Sequence, residues 1–187
     1  NHASLLEAQL DATVFSQSSL CDVNADGSVW THALMTECDA SALTWAGAQM
    51  TRVSFFKTDL QNKRFDGLHL AGCQFSRSNL SGSRFASAHL PQCNFQEALL
   101  DGVDFQGVTA PYALFCHAQG QGLRFGNARL RQALFTGAKM PKGDWSRADL
   151  YQSHWAAAQV PGALFRDCDL TYADFSHADL RAADLQG

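Results

Sequence analysis

Large apolar residues recur at every fifth position of this chain, from Leu5 to Leu185. Between Phe65 and Leu100 these positions alternate Phe and Leu without interruption. Of the 37 positions divisible by five, 33 hold Leu, Phe, Trp, Met or Val, and the exceptions are Ala25, Ala40, Ala110 and Gly120. A period of five matches neither the period of about 3.6 residues in a helix nor that of about two in a strand. The backbone must therefore turn once in every pentapeptide.

The positions of Pro and Gly show where the turns lie. If each multiple of five is position i, all four Pro occupy i+1 and eleven of the fourteen Gly occupy i+2. This order is typical of a type II turn, because Pro presets a negative φ and Gly accepts the positive φ that follows. At i−2, 29 of 37 residues are Ala, Gly, Ser, Thr or Cys, whereas i−1 is mostly polar. We predict that i−2 and i face the core and that i−1 faces water.

Four extended segments and four turns give a coil of 20 residues. This register places Phe85 above Phe65 on one wall, and Phe95 above Phe75 on the opposite wall. The pattern predicts an all-β fold, a right-handed quadrilateral parallel β-helix (solenoid) of about nine coils stacked at the strand spacing of about 4.8 Å. We expect a single domain over residues 1–187. Because the sequence starts at Asn1 with the repeat already under way, we expect it to be part of a longer chain.

The cysteines add little to this picture. Four of the six occupy i−2, where small residues otherwise stand, namely Cys38, Cys73, Cys93 and Cys168. We interpret them as small core residues, consistent with a reducing cytosol. Since Cys73 and Cys93 would lie on neighbouring coils, a disulfide between them remains an alternative.

The net charge of −4 is unevenly distributed. Residues 1–50 carry six acids and no Lys or Arg, residues 51–90 carry six bases and two acids, and the last 47 residues are again acidic. Such bands favour a modest electrostatic surface over a stripe that binds nucleic acid directly. No apolar run approaches the ~18–20 residues of a membrane span, so we expect a soluble protein.

One column of the coil breaks the rule of small residues at i−2. Its members are Val23, Leu43, Lys63, Val103, Leu123 and Gly143. Leu43 follows the small Ala40 and Leu123 follows Gly120, which is typical of packing compensation. Lys63 is different, because a buried and unpaired ammonium is costly. We predict a local bulge that swings Lys63 outward.

Leucine replaces the polar residue of i−1 at several places. Leu114 and Leu134 would be neighbours on one wall, with Phe56 at a corner a few coils away. Leu99 and Leu164 are further replacements of this kind. These five residues are candidate protein contacts, although scattered exposed apolar residues also occur without any function.

A second candidate contact is a charged ladder on the first wall. Arg64, Arg84 and Arg124 would alternate there with Asp104 and Asp144. The ladder could bind an acidic partner or could simply be solvated.

Catalytic and metal-binding patterns are weak by comparison. His69 and His89 would stack one coil apart, but the spacing supplies no third ligand, so we predict no metal site and no cofactor. The sequence contains no nucleophile elbow, no phosphate-binding loop and no CxxC, and a filled rod has no cleft. We therefore do not expect an enzyme.

Segments such as Ala148-Asp149-Leu150, Ala178-Asp179-Leu180 and Ala183-Asp184-Leu185 resemble the A(D/N)LXX units of pentapeptide repeat proteins. The resemblance covers essentially the whole chain and implies a right-handed quadrilateral β-helix. It also implies a non-catalytic structural or protein-interaction scaffold from a bacterium, located in the cytoplasm unless it is secreted. Some such arrays are fused to secretion-associated and effector proteins, including type VI secretion accessory proteins. The partner would be another protein, a flanking domain or a second copy bound through a coil end.

The same resemblance implies an alternative function. Some members of the family mimic DNA, bind DNA gyrase or topoisomerase IV, and confer resistance to quinolones or toxins. The rod shape is similar, but this chain is only mildly acidic and has a basic middle. It also has neither register-breaking loops nor an apolar C-terminal dimerisation helix. The binding scaffold is therefore the first hypothesis and the DNA mimic the second.

Overall fold

The computed structural model describes residues 3–40 and 42–187, in which three-residue extended segments alternate with turns. Five segments are strands: β1 (Gln9–Asp11), β2 (Val14–Ser16), β3 (Val29–Thr31), β4 (Leu34–Thr36) and β5 (Gln49–Thr51). They form two parallel sheets with the orders β1-β3-β5 and β2-β4. The described ranges contain no helix that is long and apolar enough to cross a membrane.

Strand pairing has a constant register of 20 residues. In β1 and β3 Gln9 pairs with Val29, and beyond β5 the pattern continues as isolated parallel bridges as far as Leu164 and Asp184. The N–H of a residue at position i donates to the following coil, as Phe85 does to Asp104 O at 2.7 Å. One coil therefore takes 20 residues, and the chain is a parallel β-helix.

The turns follow the predicted corners. Within a corner, the N–H of Ser83 donates to Leu80 O at 2.9 Å, and equivalent bonds recur along the chain. The residue at i+2 has a positive φ at every fifth position from Glu7 to Glu37 and from Gly47 to Gly187. Most of these residues are not glycine, although a left-handed conformation is unfavourable for other residues. Hydrogen bonds to the neighbouring coils hold these corners in that conformation.

The core consists of two columns of stacked aromatic rings. Phe65 and Phe85 stack with centroids 4.4 Å apart and planes inclined by 7°. Across the interior, Phe85 meets Phe95 edge to face at 5.8 Å and 87°. These rings are fully buried, which confirms the two predicted phenylalanine walls. Burying each such side chain contributes about 1.5–3 kcal/mol relative to exposure.

The tryptophans continue these columns and explain one irregular position. The indole N–H of Trp155 donates to Ser153 Oγ, two residues earlier, at 2.8 Å. Trp145 has Gly143 at the equivalent place, where an added Cβ would lie 2.5 Å from the indole ring. Its buried Nε1 has no hydrogen-bond partner within the described ranges. Gly143 is thus required by the volume of Trp145.

The core cysteines are free thiols, so the alternative of a Cys73–Cys93 disulfide is wrong for this structure. The thiol of Cys93 donates to Leu70 O at 2.8 Å. Burial raises the pKa of Cys73 to about 12 and that of Cys93 well above its ordinary value. Both side chains act as small core residues.

Candidate functional site

Leu114 and Leu134 lie side by side on one outer wall, as the sequence predicts. Both side chains are half-buried, and Tyr112, two residues before Leu114, is 53% exposed. We call Tyr112, Leu114 and Leu134 the leucine patch. Sequence reasoning missed Tyr112, because its corner position was treated only as a turn. A large aromatic residue at i+2 is the signal that could have identified it.

The other apolar candidates lie away from this patch. Leu99 is 46% exposed and pairs with Gln119, and Leu164 is half-buried and pairs with Asp184. These two columns belong to two different sides of the coil, so the structure does not gather the candidates into one surface. Phe56 is half-buried, and its ring lies 5.5 Å from the ammonium of Lys57.

The charged ladder forms in the predicted order, because bridges join Arg64 to Arg84, Arg84 to Asp104 and Asp104 to Arg124. Each of the three arginines is paired with a carboxylate. Arg64 Nε and Arg84 Nε both lie 3.3 Å from Asp66 Oδ2.

The third arginine, Arg124, places Nη2 2.9 Å from Oδ2 of the buried Asp104. The arginine side chains are largely exposed, so each pair stabilises the fold only modestly. These pairs neutralise much of the positive charge on the wall. A role of Arg64, Arg84 and Arg124 in binding an acidic partner stays a prediction.

His69 and His89 stack with ring centroids 5.5 Å apart and planes inclined by 55°. Among the described residues, no cluster of three or more His, Cys, Asp or Glu could hold a metal ion. The pair is a surface feature of neighbouring coils.

Lys63 does not swing outward, and that prediction is wrong. The residue is only 7% exposed, and its Nζ donates to Leu43 O at 3.1 Å and lies 5.9 Å from the ring of Trp45. Its aliphatic stem packs as an apolar side chain while the carbonyl accepts from the ammonium. Desolvation lowers the pKa of Lys63, although the nearby Asp39 and Asp59 oppose this shift.

The hydrogen-bond ladder is interrupted beside Lys63. In the part of the chain that the structure describes, no bridge joins Thr44 to Arg64, and neither Trp45 N–H nor Arg64 N–H has a backbone acceptor. Side chains take over instead. Trp45 Nε1 donates to Arg64 O at 3.0 Å, while Lys63 serves the carbonyl of Leu43. The sequence thus located the irregular position but not the direction of its side chain.

This interruption opens a crevice of about 530 Å³ between two coils. Its walls include Leu43, Trp45, Lys63, Arg64 and Leu68. A second hollow of about 610 Å³ adjoins it around the corners at residues 47 and 67. The sequence signal for this crevice was the replacement of small residues by bulky ones at positions 43, 63 and 68.

The five-residue corners, the 20-residue register and the stacked core define a parallel β-helical repeat protein. A family model described as pentapeptide repeats matches residues 98–137 and 156–187 in 8 copies. A second model of pentapeptide repeats matches residues 65–109 in 9 copies. Together these matches cover more than half of the chain, and the chain belongs to the pentapeptide repeat family.

Several solved structures are similar to this chain. HetL from the cyanobacterium Nostoc sp. strain PCC 7120, a pentapeptide repeat protein involved in heterocyst differentiation regulation, has 16% identity and a TM-score of 0.33, with 98% of this chain and 87% of HetL covered. A trypsin-treated variant of QnrB1, a plasmid-mediated fluoroquinolone resistance protein, has 18% identity and a TM-score of 0.42, with 94% and 91% covered. A pentapeptide repeat protein of the Arabidopsis thaliana thylakoid lumen has 22% identity and a TM-score of 0.28, with 68% and 66% covered. A comparison with curated protein sequences found no match.

Proposed function

We propose that this chain is a non-catalytic scaffold that binds another protein through the leucine patch. The observation that carries the proposal is the stacking of Leu114 on Leu134 at outward positions, next to the exposed Tyr112. The flanking members of the same column are Asn94 and His154, so the apolar surface has polar borders. Aromatic and apolar residues inside a polar rim are typical of protein interfaces.

The proposal includes the wider setting expected from the sequence. The solenoid would be right-handed and four-sided with about nine coils, a single domain of a longer bacterial protein, and it would act in the cytoplasm or with a secretion system. At one end the core residues Leu170, Phe175 and Leu180 are half-buried rather than buried, which supports cover by a flanking segment or a second copy.

Photo-crosslinking from position 112 would test the leucine patch. A partner captured from that position by the unmodified surface should be lost when Leu114→Asn and Leu134→Asn are combined. Asparagine is suitable because Asn94 occupies the same column one coil earlier, so the fold should tolerate it.

Leu99→Asn is the matched control, since Leu99 is an exposed leucine at the same repeat position on another side of the coil. Capture should survive this change. Undiminished capture by the double variant, or equal loss in the control, would exclude the leucine patch as the contact.

A second candidate function is DNA mimicry toward a type II topoisomerase. The observation that favours it is a set of carboxylates at the outward positions of successive segments in the last coil, namely Asp169, Asp174, Asp179 and Asp184. Hydrogen bonds from Thr171 and Ser176 lower the pKa values of Asp169 and Asp174. Against this, Asp179 and Asp184 are already paired with Arg181 and Arg166.

Supercoiling by purified gyrase distinguishes the two functions. A DNA mimic should inhibit supercoiling or reduce quinolone-induced cleavage at micromolar protein concentration. The combined change of Asp169→Asn and Asp174→Asn should weaken that effect, whereas Leu114→Asn should not. An unchanged reaction with the wild-type protein would remove this candidate.

A further inference from the structure

Backbone donors without acceptors surround the crevice beside Lys63. The N–H groups of Trp45, Gly47 and Arg64 make no hydrogen bond within the described ranges. One coil later, the equivalent N–H of Phe65 donates to Arg84 O at 2.7 Å. Because backbone donors are nearly always paired in folded proteins, these three N–H groups are available to an acceptor from outside the chain.

The charges around these donors favour an anion. Lys63 and Arg64 line the crevice. The one carboxylate of the lining, Asp66, is held 3.3 Å from the Nε atoms of both Arg64 and Arg84. The surroundings therefore keep an excess of positive charge, which raises the local concentration of anions.

The crevice also has an apolar side. Leu43, Trp45 and Leu68 belong to its lining, and the indole of Trp45 is fixed by its bond to Arg64 O. The volume of about 530 Å³ falls within the range of roughly 300–1,000 Å³ that is usual for small-molecule sites. An occupant with a charged head and an apolar body would complement both sides.

We propose that this crevice binds a small organic carboxylate. The carboxylate accepts from the N–H groups of Trp45 and Arg64 and pairs with the ammonium of Lys63, and its apolar body packs against Leu43 and Trp45. The ligand thereby supplies the acceptors that an adjacent coil supplies elsewhere in the solenoid. Hydrogen bonds in which one partner is charged are shorter and stronger than neutral ones, so this arrangement favours a carboxylate over a neutral amide. The site is separate from the leucine patch.

Titration of the whole chain with 4-fluorobenzoate, followed by ¹⁹F NMR, tests the proposal. We expect saturable binding with a Kd of about 1 mM or lower and ¹⁵N shift changes at Trp45, Gly47 and Arg64. The neutral 4-fluorobenzamide should bind at least about tenfold more weakly.

Lys63→Met keeps the buried stem and removes the charge, and we expect it to weaken binding of 4-fluorobenzoate by about tenfold. Lys57→Met is the matched control, because Lys57 also lies beside an aromatic ring, 5.5 Å from Phe56, but is exposed. It should bind the probe as the wild type does. Arg64→Gln, at an exposed position that should not disturb folding, should weaken binding several-fold.

Several results would overturn the proposal: no binding at ~10 mM probe, equal binding of the amide, shift changes that spare residues 43–47 and 63–66, or full binding by both Lys63→Met and Arg64→Gln.

Discussion

The rings of Phe95 and Phe115 stack with centroids 4.9 Å apart and planes only 2° from parallel. This distance is close to the spacing of about 4.8 Å between paired strands. The side-chain column and the backbone ladder therefore advance together, one coil at a time. Phe95 also meets Phe85 and Phe105 edge to face, so each ring contributes to both aromatic columns.

Phe95→Ala should lower the free energy of unfolding by about 3–5 kcal/mol, because it opens a cavity in a fully packed stack. Phe56→Ala, outside the stack and half-buried, should cost less than about 2 kcal/mol. Denaturant unfolding measures both. Equal losses in the two variants would show that the stack contributes no special stability.

Lys63→Met should stabilise the fold at pH 7 by about 1 kcal/mol, because a desolvated ammonium is replaced by an apolar side chain. Burial lowers the folded-state pKa of Lys63, so the unfolded chain binds the proton more tightly. The penalty is present in full below the folded pKa and disappears as pH rises toward the unfolded value of 10.5.

Unfolding measured from pH 7 to pH 10.5 should thus show the advantage of Lys63→Met shrinking with pH. Lys57→Met serves again as the control and should show no such trend. An advantage that grows with pH would contradict a lowered pKa.

Ala157→Gly should stabilise the protein by up to about 1 kcal/mol, because glycine accepts a left-handed corner without steric cost. Ala157 is exposed and has a φ of 57°. The neighbouring Ala156→Gly, at a corner position without positive φ, should instead destabilise slightly through chain entropy. Thermal unfolding of the two variants compares them directly, and the same sign in both would contradict this explanation.

Trp145→Phe should cost about 1 kcal/mol less than Trp155→Phe. The change at Trp145 removes an indole N–H that has no partner in the described chain, whereas the change at Trp155 breaks the bond to Ser153 Oγ. Both remove similar volume from neighbouring levels of the core. Chemical unfolding that ranks the two variants in the opposite order would argue for an acceptor near Trp145.

Thiol labelling should separate the cysteines by burial. At pH 8 the exposed Cys21 should react quickly with a disulfide reagent, while the buried Cys73 and Cys93 should stay unmodified in the folded protein. Burial raises the pKa of both core thiols, so little reactive thiolate forms at this pH. Denaturant should abolish the difference, and rapid labelling of Cys73→Ala at Cys93 would contradict a closed core.

The sequence by itself determined the repeat, the register and the core. The recurrence of apolar residues such as Phe65 and Phe85 is strictly local in period, and each pentapeptide carries its own turn signal. For this reason corners, inward positions and aromatic walls could be derived by counting. The order of the charged ladder from Arg64 to Arg124 followed from the same count, because the register fixes which residues are neighbours.

The tertiary structure decided what happens where the repeat rule fails. Whether Lys63 points inward depends on the space beside Leu43 and on a carbonyl that accepts from its ammonium, and neither can be read from the repeat. The interrupted ladder between Trp45 and Arg64 likewise depends on how two adjacent coils accommodate several bulky side chains together. The regular part of the chain is local and additive, whereas the crevice arises from competition between packing and hydrogen bonding across coils.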